Sequence, residues 1–482
     1  MVFNSVDFLI FFVVVFSLYH FIFKEKTKLQ NILLLVASYV FYAWVNWKIL
    51  PFLALSTAIF YFLGIAVFKA KTGKHKQLLT TLGVVLGIGT LLYFKYFNFF
   101  ISSFKTLFES IGLQTNLHTF KILIPIGISF YTFRLLSYII DIKRGKFEPT
   151  RDFIVFATYV AFFPCLLSGP IDRPATLIPQ LKSRRIFDYS LAVDGMRQIL
   201  WGLFKKVVIA DNCAILVNEV FGGAYQLQTG STLLLAAIFF SFQMYADFSG
   251  YSDMAIGVAK LLGIRVTKNF DFPFYAQNIA EYWRKWHISL TSWLTDYVFM
   301  PLNVRWRDHG KWGAIAAIMI TFILIGLWHG DNWTFALFGL YHGLLYIPLI
   351  LSGVMFKKTK LEIYKWGFPK PKVLWNILLT FGLVTIGNII FRAETIGQAF
   401  EYLGGICNTS ILSIPFLEQK KLMAFCLVLM LLTEWVQRNR QHGLEITNIK
   451  NQYVRWCIYF SIIVLIYKFG IFTYKQFIYF QF

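Results

Sequence analysis

Three histidines lie in one apolar part of the chain, where ionisable side chains are costly. His287, His329 and His342 all fall between residues 243 and 343, in or beside hydrophobic runs. Ionisable groups at membrane depth usually face a bundle interior or a wet cavity, and they indicate function by default. Because burial favours the neutral form, such a histidine can accept a proton from a hydroxyl group at neutral pH. The pattern therefore predicts general-base chemistry on a hydroxyl nucleophile.

His329 is the candidate for the base. It stands in the sequence Gly-Leu-Trp-His-Gly at 326–330, after the apolar run 315–325 and before another hydrophobic run. The sequence thus predicts that His329 lies at a break between two helices. A single histidine in such a place is more often structural than catalytic, and the same holds for His342, which we expect to support the site.

His287 is the candidate for orienting the reacting groups. It follows a stretch in which tryptophans and basic residues are interleaved, namely Trp283, Arg284, Lys285 and Trp286. Such a stretch is too polar for a simple lipid crossing and is typical of an interfacial or re-entrant segment. On a helix, His287 would share a face with Trp283 and Arg284. We expect Arg284 and Lys285 to meet the phosphates of a donor molecule and the two tryptophans to line its path.

Carboxylates also stand in this part of the chain. Asp247, Ser249 and Asp253 lie within the apolar segment 233–262, and Asp296 lies further along. On a regular helix, two aspartates with this spacing point about 120° away from each other, although Gly250 between them could permit a kink. These groups support either the site or only the packing of neighbouring helices, and the sequence leaves both interpretations open.

Other chemistries lack a matching pattern. The five cysteines lie far apart, so neither a disulfide framework nor a zinc site is predicted. No carboxylate or cysteine stands at ligand spacing beside the histidines, which argues against metal or haem binding. A G-x-S-x-G serine elbow and a phosphate loop are also absent near these residues. We therefore expect no metal and no bound cofactor.

The composition places this chemistry in a membrane. Of the 482 residues, 57% are hydrophobic and 15% are charged, against about 25% charged residues in soluble proteins. The mean hydropathy is +0.60. The formal net charge of +22 does not indicate nucleic-acid binding, because the basic residues fall between long apolar runs and act there as topology signals.

Apolar runs of about 20 residues, the length of a membrane-spanning helix, recur from end to end. We predict an all-α polytopic membrane protein with roughly 11–14 membrane segments, some of them re-entrant or interfacial. It would form a single domain over residues 1–482, with the catalytic region at about 243–343. The predicted spans are 6–23, 31–47, 50–68, 78–93, 123–140, 153–167, 198–221, 233–262, 312–327, 333–355, 373–391, 422–435 and 454–472, with less regular pieces at 97–111 and 279–300.

Basic loops predict the orientation in the membrane. The loop after the first span carries Lys24, Lys26 and Lys28, and the loop at 69–76 after the third span is also basic. Cytoplasmic loops collect lysine and arginine, so the N-terminus should lie outside the cell. The first apolar run lacks a basic leading region and a cleavage site, so we interpret it as a retained span.

The polar and aromatic motifs follow one another in a distinctive order. They are PIGISFYTF at 125–133, FP at 163–164, SGPIDR at 168–173, GLFKKVVIAD at 202–211, DFSGYSDMAIG at 247–257, YWRKWHISL at 282–290, DY at 296–297, PL at 301–302 and GLWHG at 326–330. This order, over most of the chain, resembles the membrane-bound O-acyltransferase (MBOAT) family, in particular its bacterial branch like the alginate O-acetylation protein. Asn303 and Val304 stand where relatives commonly have two glycines, and Phe338 stands where tryptophan is frequent.

The resemblance implies a helical bundle around a central tunnel, in which an acyl group passes from a thioester to a hydroxyl group. His329 falls on the family's hallmark histidine, and His287 falls on the partner position, which is usually Asn or His. The implied co-substrate is acetyl-CoA or another acyl thioester, and the implied acceptor is a polysaccharide outside a bacterial plasma membrane. In this branch we expect an exported SGNH-type acetyltransferase or esterase-like partner, besides membrane lipid.

Two other functions remain open on the sequence. The nearer one belongs to the related branch that moves D-alanyl groups from a carrier protein to teichoic acid, whose members tend to end earlier than this chain. The other is a non-enzymatic transporter or assembly scaffold, in which the aspartates and histidines would form a conducting relay. No inverted repeat, which many transporters show, is visible to support it.

Overall fold

The protein is described by a computed structural model over residues 1–115, 118–223, 225–357, 359–365, 367–415 and 421–472. Within these ranges the secondary structure is helical, apart from an antiparallel bridge between Ile363 and Pro369. The earlier helices are α1 (Val6–Ser17), α2 (Thr27–Ala43), α3 (Leu50–Lys69), α4 (Gly73–Leu91), α5 (Phe97–Ser110), α6 (Ile128–Lys143), α7 (Phe153–Ala161), α8 (Phe163–Leu166), α9 (Pro174–Lys182) and α10 (Tyr189–Leu203). The later ones are α11 (Asp211–Phe221), α12 (Gly230–Leu261), α13 (Ile279–Lys285), α14 (Ile288–Leu294), α15 (Met300–Arg305), α16 (Gly310–His329), α17 (Trp333–Leu351), α18 (Pro371–Arg392), α19 (Ile396–Ile406), α20 (Lys421–Val436) and α21 (Gln452–Phe469). The predicted all-α class is confirmed.

Wider turns of π type follow or link several of these helices. Such turns are frequent at functional sites, because they change the direction of the side chains that follow. They cover Leu18–Ile22, Leu92–Tyr96, Phe204–Ala210 and Thr295–Phe299. Shorter 3₁₀ turns cover Trp47–Ile49, Tyr225–Leu227, Pro273–Tyr275, Arg307–His309 and Thr409–Leu412.

Six helical stretches of the described chain are long and apolar enough to cross a membrane. They are Trp47–Lys69, Gly73–Ser110, Gly230–Leu261, Arg307–His329, Trp333–Leu351 and Pro371–Arg392. The shorter apolar stretches Val6–Ile22 and Met423–Val436 fall below this length. These helices account for many of the predicted spans.

The predicted span at 153–167 is not one continuous helix, because the helix breaks. α7 ends at Ala161 and α8 begins at Phe163. Pro164 has no N–H to continue the helical hydrogen bonding. Instead, the buried guanidinium of Arg134 donates to four carbonyl oxygens around the break, at 2.9 to 3.3 Å, on Tyr159, Val160, Cys165 and Pro170. An arginine that is fully inside the protein thus replaces helical hydrogen bonds at this point.

The chain divides into two compact units. The first comprises Met1–Met196 and Ala255–Thr267, and the second comprises Arg197–Met254 and Lys268–Phe482. Arg134 and its carbonyl partners belong to the first unit. Every residue predicted for the catalytic site belongs to the second unit.

In the second unit, α16 and α17 form a closely packed helical hairpin. A Cβ atom added at Gly326 would lie 2.0 Å from the carbonyl oxygen of Phe335, and one added at Gly339 would lie 2.2 Å from that of Phe322. Only glycine allows the two backbones to approach so closely. This packing fixes the C-terminal end of α16, where His329 is located.

Candidate active site

His329 is the last residue of α16, and α17 begins at Trp333. The break between the helices is therefore where the sequence predicts it. Asn332 stabilises the break, because its Oδ1 accepts a hydrogen bond from the Thr334 N–H at 3.0 Å and its Nδ2 donates to the Glu394 carbonyl at 2.8 Å. Side chains of this type favour the start of a helix by binding its unpaired amides. The imidazole of His329 is buried.

His287 lies between two short helices, and its backbone is left-handed, with φ 46° and ψ 52°. α13 ends at Lys285 and α14 begins at Ile288. The prediction that His287 shares a helix face with Trp283 and Arg284 is wrong, because the chain changes direction between them. Burial lowers the pKa of His287 to about 3, so its imidazole is neutral at physiological pH.

The two catalytic candidates contact the same tryptophan. The ring centroid of Trp328 lies 5.5 Å from that of His287 and 4.8 Å from that of His329. Each of the two imidazoles also contacts a phenylalanine. Phe248 meets His287 edge-on at 4.6 Å, and Phe391 meets His329 edge-on at 5.0 Å. The structure thus brings together two histidines that are far apart in the sequence.

His342 joins the same group of rings. Its Nδ1 accepts a hydrogen bond from the Trp283 Nε1–H at 3.2 Å, and Phe338 lies between His342 and His329, at centroid distances of 4.6 and 5.9 Å. A Cβ atom at Gly387 would lie 2.6 Å from His342 Nε2, so a larger residue at this position of α18 would displace the imidazole. We call this group the histidine cluster: Trp283, His287, Trp328, His329, Phe338 and His342.

A cavity of about 370 Å³ adjoins the histidine cluster at Trp283. Arg284 and Asp296 also line it, whereas most of the remaining lining is apolar. Two other residues of the predicted donor path have different surroundings. Lys285 forms an ion pair with Glu281 at 2.9 Å, and buried Trp286 stacks on the ring of Tyr282. Of the four interleaved residues, Trp283 and Arg284 therefore line the cavity.

The predicted carboxylates Asp247 and Asp253, unlike Asp296, lie beside buried lysines. Lys205 Nζ is 2.7 Å from Asp253 Oδ2, 3.9 Å from Glu434 Oε1 and 2.9 Å from Ser249 Oγ. Tyr245 donates from its hydroxyl to both carboxylate oxygens of Glu434, at 2.9 and 3.0 Å. The ammonium, carboxylate and hydroxyl groups therefore find ion-pair or hydrogen-bond partners inside the protein.

A second, similar group surrounds the next lysine. Lys206 Nζ lies 2.8 Å from Asp247 Oδ1 and 2.9 Å from Asp211 Oδ1. We call the two groups the lysine triads: Lys205 with Asp253 and Glu434, and Lys206 with Asp211 and Asp247. The alternative in which the aspartates support the packing of helices is the one that this geometry favours.

Asp247 and Asp253 reach different triads because they lie on different sides of α12, which stays helical through Gly250. A Cβ atom at Gly250 would lie 2.7 Å from the carbonyl oxygen of Gly202, so the two chain segments cross in close contact. Both lysines lie on the π-type turn Phe204–Ala210, directly after this crossing. The sequence analysis did not identify Lys205, Lys206 and Glu434 as candidates. Each is an ionisable residue inside a predicted apolar span, and this position is the signal that could have identified it.

The described ranges contain no set of metal ligands. No group of three or more His, Cys, Asp or Glu side chains there could hold a metal ion. The carboxylates of the lysine triads are bound to ammonium groups instead.

A comparison with protein families decides the class of the molecule. The model of the MBOAT, membrane-bound O-acyltransferase family matches residues 75–391. The chain belongs to the MBOAT family. It is therefore an O-acyltransferase and a multi-pass membrane protein, as the sequence predicts. The matched region contains the whole histidine cluster and both lysines of the triads, whereas Glu434 lies beyond it.

Curated relatives of this MBOAT protein modify different polymers. It is 38% identical over 411 residues to the probable alginate O-acetylase AlgI of Pseudomonas putida. The aligned residues cover 84% of this chain and 80% of that protein. It is 30% identical over 457 residues to the peptidoglycan O-acetyltransferase of Helicobacter pylori, with coverages of 87% and 82%. The teichoic acid D-alanyltransferase of Bacillus subtilis is 31% identical over 290 residues, with coverages of 56% and 69%.

Proposed function

We propose that this MBOAT protein moves an acetyl group from a cytoplasmic thioester to hydroxyl groups of a polysaccharide outside the bacterial plasma membrane. The observation that carries the proposal is the contact of His287 and His329 with the same buried tryptophan, Trp328. The similarity to relatives named for O-acetylation of alginate and peptidoglycan, over more than four fifths of the chain, supports an acetyl group and a polymer acceptor.

In the proposed reaction, His329 is the general base. Its imidazole accepts the proton of the acceptor hydroxyl while the hydroxyl oxygen attacks the carbonyl carbon of the thioester. The carbon–sulfur bond then breaks, and the departing sulfur takes the proton and leaves as a thiol. General acid–base catalysis of this kind contributes about 10²- to 10⁴-fold to the rate.

His287 would hold the reacting oxygen in place. A neutral imidazole has one N–H donor and one nitrogen acceptor, and burial keeps this ring neutral. It can therefore donate a hydrogen bond to the thioester carbonyl, or accept one from the acceptor hydroxyl. Both tasks require a ring of fixed orientation, and the edge-on contact with Phe248 restricts it.

The cavity beside Trp283 supports a path for the donor. Its lining is mainly apolar, which suits a slender acyl-thioester arm, and it includes the guanidinium-bearing Arg284. Arginine binds phosphate groups well because its planar donors match their oxygens. We infer that the donor is acetyl-CoA or another acyl thioester that carries phosphate.

The proposed orientation separates donor and acceptor. The basic loops at Lys24, Lys26 and Lys28 and at 69–76 would face the cytoplasm, with the N-terminus outside. The thioester would then approach from inside, whereas the polysaccharide lies outside. An exported SGNH-type acetyltransferase or esterase-like protein would pass the acetyl group to the final acceptor.

The test is the O-acetyl content of cell-surface polysaccharide in a strain that lacks the gene. Complementation with the wild type should restore it, and His329→Ala should reduce its rate of formation by about 10²- to 10⁴-fold at equal membrane abundance. His309→Ala is the matched control, because this exposed histidine directly precedes the same helix and should leave acetylation unchanged. Normal acetylation with His329→Ala would refute the proposed role of that histidine.

D-alanyl transfer is the second candidate, and the match to the Bacillus subtilis teichoic acid D-alanyltransferase favours it. That match covers 56% of this chain, against 84% for the alginate relative. The same strains distinguish the two reactions. Loss of ester-linked D-alanine, with O-acetyl groups unchanged, would replace acetyl transfer by D-alanyl transfer.

A further inference from the structure

The left-handed backbone of His287 needs support from its surroundings. Non-glycine residues rarely adopt positive φ values, and they keep them only where neighbouring structure holds the chain. In addition, His287 occupies the position before α14, where a side chain normally binds the first free amides of the helix. The side chain of His287 makes no such capping hydrogen bond.

A buried asparagine from another segment takes over this task. The main-chain carbonyl of Asn269 accepts the Ile288 N–H at 2.8 Å. Its side-chain Oδ1 accepts from the Ser289 hydroxyl at 2.8 Å and from the Ser289 N–H at 3.2 Å. Asn269 thus binds the first two amides of α14, and the imidazole of His287 is not needed for them.

Asn269 also ties this turn to the long helix that contacts His287. Its Nδ2 donates to Ser252 Oγ at 3.2 Å, on α12, one turn after Phe248. The Phe248 ring in turn meets the imidazole of His287 edge-on. Two residues after Asn269, the Asp271 N–H donates to the Lys285 carbonyl at 2.9 Å. The chain is therefore held on both sides of the reversal at His287.

We propose that Asn269 is a positioning residue for the acyl transfer. It caps α14 in place of His287, holds His287 in its left-handed conformation and so fixes the direction of its imidazole. This inference rests on the proposed role of His287 in the reaction. Asn269 itself acts only through His287.

The test measures the initial rate of polysaccharide O-acetylation in complemented cells, divided by the amount of folded protein in the membrane. Asn269→Ala should lower this rate by about 10- to 100-fold, since small displacements of a catalytic group have effects of this size. Asn269→Asp keeps the oxygen acceptors that cap α14 and should restore most of the rate. Asn388→Ala is the matched control, because it removes another buried asparagine, which donates to Ser241 at 3.0 Å outside the histidine cluster.

The double variant Asn269→Ala with His287→Ala separates positioning from simple stability. If Asn269 acts through His287, adding Asn269→Ala to His287→Ala should cause almost no further loss of rate. An equal fold-loss in both backgrounds would overturn the inference, as would an Asn269→Ala rate that matches that of Asn388→Ala. Full activity of His287→Ala alone would instead refute the proposed role of His287.

Ser289→Ala gives a second route if Asn269→Ala does not accumulate in the membrane. It removes the Ser289 hydroxyl bond to Asn269 and keeps the N–H bond. A loss of a few fold that disappears in the His287→Ala background supports the inference. An unchanged rate, or the same loss in both backgrounds, contradicts it.

Discussion

The histidine cluster and the lysine triads are both buried in the second unit, but they stabilise their polar groups in opposite ways. The triads match ammonium groups with carboxylates at 2.7 to 2.9 Å, and add a further carboxylate at 3.9 Å. The cluster surrounds its imidazoles with the edges and faces of aromatic rings. Charges that are paired inside the protein suit the joining of helices, whereas imidazoles among apolar rings suit the exchange of a proton with a substrate.

Polar residues at membrane depth can therefore have either a structural or a reactive role. Ionisable groups there indicate function by default, and Asp247 and Asp253 are candidates on that ground alone. Their ion pairs with lysines favour a structural role for both aspartates. The partner of a buried charge, more than its presence, distinguishes a structural group from a reactive one.

The largest effect that tests this comparison is expected in a triad. Lys206→Met would leave Asp211 and Asp247 without their shared ammonium group and should lower the free energy of unfolding by about 3–5 kcal/mol. Thermal unfolding of the protein purified in detergent measures this loss. O-acetylation per folded molecule should stay close to that of the wild type.

The control replaces the whole triad with uncharged residues. Lys206→Met combined with Asp211→Asn and Asp247→Asn should recover most of the stability, because no buried charge is left unpaired. If Lys206→Met instead unfolds like the wild type but loses acetylation, the triad belongs to the chemistry and the distinction between the two regions fails.

A smaller effect is expected where backbone packing places the histidine cluster. Gly326→Ala would force α16 and α17 apart, since its Cβ would lie 2.0 Å from a backbone oxygen. We expect a loss of about 1–3 kcal/mol in the free energy of unfolding, the usual cost of overpacking. Acetylation per folded molecule should fall as well, because His329 ends the displaced helix.

Gly382→Ala on α18 provides the comparison, since nothing lies within 4 Å of a Cβ atom there. Exchanging glycine for alanine inside a helix should stabilise it by about 0.5–1 kcal/mol. Equal stability and activity of the two variants would show that the close packing at Gly326 does not matter.

The smallest effect concerns the hydrogen bond inside the histidine cluster. Trp283→Phe removes the N–H that binds His342 Nδ1 and should cost about 1 kcal/mol of stability. Acetylation per folded molecule should fall a few fold, because Trp283 also lines the cavity. Trp435→Phe removes a similar bond, to the Gly367 carbonyl at 3.0 Å, outside the cluster. Identical acetylation by both variants would separate Trp283 from the reaction.

Local signals in the sequence were sufficient for part of this molecule. Long apolar runs identify the helical class, because helices satisfy their own backbone in a bilayer. The helix break at His329 also follows from nearby residues, since Asn332 starts the next helix. These features depend on neighbours in the chain, which the sequence displays directly.

Features that depend on distant partners could not be predicted. The left-handed turn at His287 contradicts the helix that the local pattern indicates, and its hydrogen bonds come from Asn269 in another segment. The break at Phe162 likewise depends on Arg134. The triads join residues of three separate segments, so the basic pair Lys205 and Lys206 looked like an ordinary feature of an apolar span.

The left-handed backbone at His287 also limits how this position can change during evolution. Among residues with a Cβ atom, Asn, Asp and His tolerate such a conformation best. The codons of His and Asn differ by a single base, as do those of His and Asp. One mutation can therefore exchange these residues without passing through a residue type that would strain the backbone. His329 ends a regular helix and has no such conformational filter. At position 287 the backbone conformation limits which residues can occur, in addition to the reaction. At position 329 only the reaction sets such a limit.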